Sequence, residues 1–177
     1  KNKFTVLLEK EDPDPYEKNR RISNDRIIYD YKPGAIAFPK LANDVALCLK
    51  FCKKHGIEFK IRSGGHHHEG MCSGNGILMI HMRDLKIQLA DGGESLFERE
   101  GETDIWIAAG ANFYEIEQEL INDGFTISGG GCKSVGIGGY ALGGGWGYSS
   151  RLLGLGSHCF SDAEVVCHDE KEDFKVV

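Results

Sequence analysis

The sequence predicts an α+β protein in which a small α/β lobe precedes a larger lobe of mixed or antiparallel sheet with helices. Three observations support this class. Residues 35–61 show a strand, helix, strand succession, short strand candidates are scattered over the later residues, and 24 of the 177 residues are glycine against only 4 prolines. Because 41% of the residues are hydrophobic and 27% charged, the glycines are expected in tight turns or beside a ligand rather than in a disordered chain.

The first lobe, about residues 1–62, is predicted from two strands and one helix. Residues 35–38 and 57–61 are short apolar runs, while residues 41–55 carry apolar side chains at helical spacing. Gly56 follows as a stop signal for the helix. This order of elements is typical of a right-handed parallel crossover.

The second lobe, about residues 63–177, contains more strand candidates and one further helix. Residues 112–123 have apolar side chains at helical spacing, and Gly124 ends that run. The strand candidates are residues 77–81, 87–89, 105–108 and 163–168. We therefore expect the whole chain, residues 1–177, to form one domain of two lobes.

Composition excludes several classes of function. The net charge of −6 disfavours nucleic acid, which requires a basic face. The sequence has no apolar run near the roughly 20 residues of a membrane helix, and its N-terminus does not resemble a signal peptide. We expect a cytoplasmic protein, and a secreted one stays open if a signal peptide was removed. The six cysteines form no CxxC pair, so a structural zinc site is not expected.

The first glycine loop, residues 61–70, reads Ile-Arg-Ser-Gly-Gly-His-His-His-Glu-Gly and directly follows a strand candidate. Gly64 and Gly65 allow backbone N–H groups to turn toward one point, which suits a phosphate. Arg62 and Ser63 either add donors or, in the case of Arg62, pair within the protein. The three consecutive histidines do not predict a metal site, because neighbouring side chains of an extended chain point in opposite directions.

The second glycine loop, residues 129–147, contains ten glycines among nineteen residues. A flexible linker would lack the interleaved apolar residues Val135, Ile137, Tyr140, Leu142 and Trp146. The Gly-Lys-Ser/Thr of a Walker A loop is absent, and Gly136-Ile-Gly-Gly lacks the strand before it that a Rossmann fingerprint needs. The loop therefore indicates backbone packed against a long, flat ligand.

Together these segments resemble one enzyme superfamily. The RSGGH loop, the Gly110-Ala111 turn, the GGCxxVGxGG run and the later GGGWG resemble the FAD enzymes of the vanillyl-alcohol-oxidase superfamily, and within it the berberine-bridge-enzyme-like oxidases. The match extends from about Tyr31 to Val166. The resemblance implies a PCMH-type FAD-binding domain. It also implies an FAD-dependent oxidoreductase that accepts a hydride from an alcohol, sugar or amine carbon, with oxygen as the final acceptor.

The resemblance also assigns residues. It implies that His66 bonds to the 8α carbon of the flavin and that Cys132 bonds to C6. Independent chemistry agrees, since a neutral imidazole and a thiolate are able to attack an oxidised flavin. Lys133 beside the cysteine would favour the thiolate, and the alternative for Cys132 is a buried free thiol. The other predicted FAD contacts are Arg62, Ser63, Gly64, Gly65, His67, Gly110, Gly131, Val135, Gly136, Gly138, Gly139, Gly143, Gly144, Gly145, Trp146 and Val166.

Two departures from the family pattern limit what the resemblance implies. Family members usually carry an aspartate after GGGWG, and here His158 lies near that place. Their substrate domain, which supplies the catalytic base, is expected to be absent from this chain, so no catalytic residue is predicted. We expect a second polypeptide or self-association to complete the active site. A non-catalytic FAD-binding module and a nucleotide-binding structural protein without redox activity are the alternatives.

Overall fold

The computed structural model describes residues 4–24, 30–168 and 173–177, and these contain both helices and short strands. The strands are β1 (Thr5–Leu7), β2 (Ala35–Phe38), β3 (Phe59–Arg62), β4 (Leu78–His81), β5 (Ile87–Gln88), β6 (Glu94–Ser95), β7 (Phe97–Glu100), β8 (Asp104–Ile107), β9 (Val166–His168) and β10 (Phe174–Val176). The helices are α1 (Pro13–Arg20), α2 (Ala42–His55), α3 (Phe113–Ile121), α4 (Ile137–Leu142) and α5 (Ser150–Leu153), with short 3-10 helices at Met82–Asp84 and Gly156–Cys159. The predicted α+β class is confirmed.

A four-stranded sheet in the order β1-β2-β4-β3 holds the first part of the chain together. Strand β1 pairs antiparallel with β2, while β2 and β3 both run parallel to β4. Residues 77–81, which the sequence placed in the predicted second lobe, contain β4, and β4 pairs with both β2 and β3 in this sheet. All four β4 residues are buried, as expected of an interior strand covered on both faces. The lobe boundary near residue 62 stays a prediction.

Helix α2 packs on this sheet and ends where the sequence predicts. Gly56 adopts the left-handed conformation with φ of 63°, and its N–H caps the last turn. The core between helix and sheet consists of Ala37, Val45, Cys48, Leu49, Cys52, Leu78, Ile80 and Met82. On the outer side, the antiparallel hairpin of β9 and β10 lies against α2, and Lys50 Nζ reaches Asp173 Oδ1 at 2.7 Å.

A second hydrophobic cluster forms around α3. It contains Ala111, Phe113, Ile116, Leu120 and Ile137. The helix starts at a capping box, in which Asn112 Oδ1 accepts from Glu115 N at 3.1 Å and Glu115 Oε2 accepts from Asn112 N at 2.9 Å. The antiparallel pairs β5–β6 and β7–β8 precede this cluster in sequence. Across the described ranges, no helix has both the length and the apolar character needed to cross a bilayer.

Candidate functional site

The two glycine loops touch along their backbones. A Cβ on Gly64 would overlap the amide nitrogen of Gly136 and lie 2.6 Å from Ser134 O. A Cβ on Gly136 would in turn overlap the Ser63 hydroxyl. Both positions therefore require glycine because the other loop occupies the space of a side chain. The contact brings together segments about seventy residues apart in sequence.

His66 extends from the first loop toward the second. Its Nε2 lies 2.9 Å from Ser134 Oγ, and Ser134 is two residues beyond Cys132. Burial lowers the pKa of the half-buried His66 imidazole below its ordinary value, and the positive charges of Arg62 and His68 lower it further. A lowered pKa keeps the ring neutral at neutral pH, which is the form that retains a free lone pair.

Arg62 lies beneath the first loop. Its Nη1 donates to the carbonyl of Asn19 at 2.6 Å, so the internal pairing considered from the sequence is present. Its Nε is buried and has no hydrogen-bond partner among the residues that the structure describes. A Cβ on Gly65, whose φ is 76°, would lie 2.7 Å from this Nε, so the glycine lets the guanidinium approach the backbone. Burial lowers the pKa of Arg62.

The segment after α1 contacts the backbone of the first loop and was not predicted from the sequence. Ser23 N donates to Gly65 O at 3.0 Å. Asn24 Nδ2 donates to His68 O at 2.6 Å. The acceptors are backbone carbonyls, which carry no residue-specific signal, so the sequence offered nothing to identify these contacts.

The next member of the histidine run makes a different contact. His67 is exposed, and its Nδ1 accepts from Glu69 N at 3.1 Å. Within the described ranges, no cluster of three or more histidine, cysteine or acidic side chains is arranged to hold a metal ion.

Cys132 is an exposed free thiol, so the alternative of a buried thiol is wrong. The loop around it is fixed by the start of α3, since Tyr114 N donates to Lys133 O and Phe113 N to Val135 O, both at 3.1 Å. The ammonium of Lys133 lies 5.2 Å from the centroid of the Tyr114 ring. The expected effect of Lys133 on the thiol stays a prediction.

Five other glycines of the second loop lie in different surroundings. Gly138 lies in the first turn of α4, where a Cβ would come 2.9 Å from Ala109 O, whereas a Cβ on Gly139 would meet no atom within 4 Å. Gly144 and Gly145 adopt left-handed φ values of 85° and 68°, which favour glycine. Gly131 lies against Tyr148, with 2.8 Å from a Cβ to the phenol oxygen.

Four further residues that were predicted to contact FAD have positions that the protein alone explains. Ser63 Oγ donates to Ala109 O at 2.7 Å, and a Cβ on Gly110 would overlap the carbonyl of Met82. Trp146 is 67% exposed. Val166 lies in β9 and packs against the core around α2. None of these contacts requires a ligand, so the roles of these residues in FAD binding stay predictions.

Comparison with known proteins supports a cofactor role for this arrangement. A protein-family model described as an FAD binding domain matches residues 33–172. The chain belongs to this FAD-binding family. The predicted PCMH-type domain of the vanillyl-alcohol-oxidase superfamily, with its resemblance to berberine-bridge-enzyme-like oxidases, is confirmed.

Three relatives illustrate the extent of the match. Tetrahydroberberine oxidase of Argemone mexicana is 33% identical over 140 residues, which cover 76% of this chain and 24% of the relative. The solved structure of BBE-like 1 from Physcomitrella patens is 27% identical with a TM-score of 0.80, over 99% of this chain and 36% of that one. Glucooligosaccharide oxidase from Acremonium strictum, an enzyme with a 6-S-cysteinyl, 8α-N1-histidyl FAD, shares the fold at 23% identity and a TM-score of 0.80, over 98% of this chain and 34% of that one.

The residues of this FAD-binding domain suit the cofactor. Gly139 leaves open space where a side chain would stand, and the buried Nε of Arg62 is an unused donor. The half-buried His66 and the exposed Cys132 present the two side chains that are able to bond to a flavin. The chain spans about a quarter to a third of the length of these relatives.

Proposed function

We propose that this domain holds FAD through two covalent bonds, from His66 to the 8α carbon and from Cys132 to C6 of the flavin. The observation that carries the proposal is the hydrogen bond of 2.9 Å between His66 and Ser134, because it joins the histidine of one loop to the neighbourhood of the cysteine in the other. Glucooligosaccharide oxidase, which has the same fold, carries a 6-S-cysteinyl, 8α-N1-histidyl FAD.

The state of His66 suits this linkage. Nucleophilic attack needs an unprotonated ring nitrogen, and the lowered pKa of His66 makes the neutral imidazole the dominant form at neutral pH. The Cys132 thiol is exposed to an approaching ligand. Each bond replaces one hydrogen of the flavin and one of the side chain, and dioxygen accepts the two hydrogen equivalents as hydrogen peroxide.

Backbone groups are the proposed phosphate ligands. The chain carries a net charge of −6, so a broad basic surface is not available to hold the pyrophosphate. The N–H groups of Gly64, Gly65, Gly138 and Gly139 are the proposed donors. Arg62 adds positive charge beneath the first loop and a buried Nε donor.

We propose that the domain serves an oxidoreductase. When FAD is bound, its isoalloxazine accepts a hydride from an alcohol, sugar or amine carbon, and oxygen is the proposed final acceptor. The residues of this chain bind and orient the cofactor. Anaerobic mixing of the FAD-loaded protein with alcohols, sugars and amines should bleach the flavin absorbance for one of these classes. The same test applies to protein that contains its substrate-binding part. If no alcohol, sugar or amine bleaches the flavin absorbance there, the domain is a non-catalytic FAD-binding module.

The surface beside the second loop is the proposed junction with the substrate-binding part. Its large apolar side chains are highly exposed: Leu142 by 93%, Trp146 by 67%, Tyr148 by 83% and Leu152 by 86%. Exposed apolar patches of this kind mark interaction surfaces, and the relatives are about three times as long as this chain. We propose that further polypeptide or a second copy covers the surface. Sedimentation of the FAD-loaded chain tests self-association, and a monomer with full oxidase activity would contradict both forms of the proposal.

The covalent linkage has a direct test in two single variants. His66→Ala should retain flavin after denaturation through the cysteine alone, and Cys132→Ala should retain it through the histidine alone. His55→Ala is the matched control, because this exposed histidine on α2 lies outside the predicted FAD contacts and should leave both bonds intact. If both variants and the wild type lose all flavin on denaturation, the cofactor is not covalently bound. If one variant keeps two bonds, the assignment of that residue is wrong.

A further inference from the structure

We propose that Ser134 is a positioning residue that fixes which ring nitrogen of His66 faces the flavin. This inference rests on the proposed covalent linkage. Ser134 Oγ lies 2.9 Å from His66 Nε2, so Nε2 is engaged by the hydroxyl. Nδ1 is then the nitrogen left to bond to the 8α carbon.

The position of the Ser134 hydroxyl is set by its two neighbours in the chain. The carbonyls of Lys133 and Val135 both accept from the first N–H groups of α3, at 3.1 Å each. On the opposite side, the Ser134 carbonyl lies against Gly64, 2.6 Å from where a Cβ would stand. The residue is thus held between the helix and the first loop, and its side chain meets the histidine at a fixed point.

A hydroxyl suits both stages of this role. A neutral imidazole carries one N–H and one lone pair. If Ser134 Oγ accepts the Nε2 proton, the lone pair lies on Nδ1, which is the tautomer able to form the bond. Once Nδ1 carries the flavin, Nε2 holds the lone pair, and the same hydroxyl can turn its own proton toward it. A side chain that only donates or only accepts would satisfy one stage and not the other.

The neighbouring histidine shows that this arrangement is particular to His66. His67 is exposed, and its Nδ1 accepts from the backbone N–H of Glu69 at 3.1 Å. That bond engages the nitrogen that is left open in His66. Both rings are therefore predicted to carry the proton on Nε2, but only His66 keeps the Nδ1 lone pair free to react.

The test uses Ser134→Ala, Ser134→Thr and a control, Thr103→Ala, which removes an exposed hydroxyl in the β7–β8 turn. Nitrogen-15 NMR of histidine-labelled chain produced without flavin reports the tautomer of His66. We expect the Nε2-protonated form in the wild type, in Ser134→Thr and in the control, and a mixture of tautomers in Ser134→Ala. On addition of FAD, peptide mapping over time should show attachment at His66 slowed about fivefold in Ser134→Ala, the ratio expected for loss of one ordinary hydrogen bond, and restored in Ser134→Thr.

The outcomes separate this inference from the proposed linkage. An unchanged His66 tautomer in a folded Ser134→Ala variant, or attachment through Nε2 in the wild type, would overturn the role of Ser134. Wild-type protein with no flavin on His66 would instead refute the linkage, and the tautomer measurement would still decide whether Ser134 fixes the ring. If Ser134→Ala fails to fold by circular dichroism, the Ser134→Thr spectrum decides, and a mixed tautomer there would overturn the inference.

Discussion

One added methyl group should affect the two glycine loops in opposite ways. In Gly64→Ala, the new Cβ would overlap the amide nitrogen of Gly136 and lie 2.6 Å from Ser134 O. These atoms belong to backbone that is hydrogen-bonded to α3, so the loops must move apart to admit the methyl. In Gly139→Ala, the new Cβ meets no protein atom within 4 Å.

The expected magnitudes follow from these distances. Forcing an extra methyl into close-packed structure costs about 1–3 kcal/mol, and Gly64→Ala should lower the free energy of unfolding by that amount even without FAD. Gly139 lies inside α4, where alanine is preferred over glycine by up to about 1 kcal/mol. Gly139→Ala should therefore leave the flavin-free protein as stable as the wild type or more so, yet reduce FAD incorporation because its methyl occupies the space proposed for the cofactor.

Urea unfolding followed by circular dichroism measures the first effect, and flavin absorbance of the purified protein measures the second. Gly74→Ala is the matched control, since its Cβ would lie at an ordinary 3.5 Å from Ile77. Wild-type stability of Gly64→Ala would refute the contact between the loops. Normal FAD incorporation by Gly139→Ala would refute the place assigned to the cofactor.

Two further predictions concern the framework around the site. Burial lowers the pKa of His81 to about 3. Between pH 6.5 and pH 3, His81 therefore binds a proton in the unfolded chain but not in the folded protein. Stability should be complete above pH 6.5 and fall by up to about 1.4 kcal/mol per pH unit toward pH 3, and urea titrations at stepped pH should show a shallower slope in His81→Gln. Asn112→Ala removes the cap of α3 and should cost about 0.5–2 kcal/mol, whereas the exposed control Asn122→Ala should change stability by less than about 0.5 kcal/mol. An equal slope in the first pair, or equal losses in the second, would contradict these assignments.

Local patterns predicted α2 and α3 well, whereas α4 lies inside the segment predicted as the second glycine loop. Apolar spacing and a glycine stop located α2 to within one residue of its start, and the observed Ala42–His55 ends at the predicted residue. Helix α3 is shorter than the predicted range of residues 112–123. Asn112, the first residue of that range, is the N-cap, and the helix ends at Ile121. Such features depend on neighbours in the chain, which the sequence displays directly.

Contacts between distant segments were harder to predict. The place of β4 between β2 and β3 depends on strand pairing, which an apolar run of four residues does not specify. The bond from Asn24 to the carbonyl of His68 involves an acceptor that every residue possesses. The packing of Lys133 on Tyr114 depends on how the second loop lies against α3. From the sequence, only the position of Lys133 next to Cys132 could be read.

If His66 and Cys132 jointly hold the cofactor by covalent bonds, the mass of the denatured wild-type chain should show it. After acid denaturation and removal of free flavin, we expect a chain heavier than the bare polypeptide by one bound FAD. Proteolysis should then yield a single flavin-containing species that links the peptides of His66 and Cys132. A denatured chain with the mass of the polypeptide alone, or flavin on a peptide containing neither residue, would contradict the account.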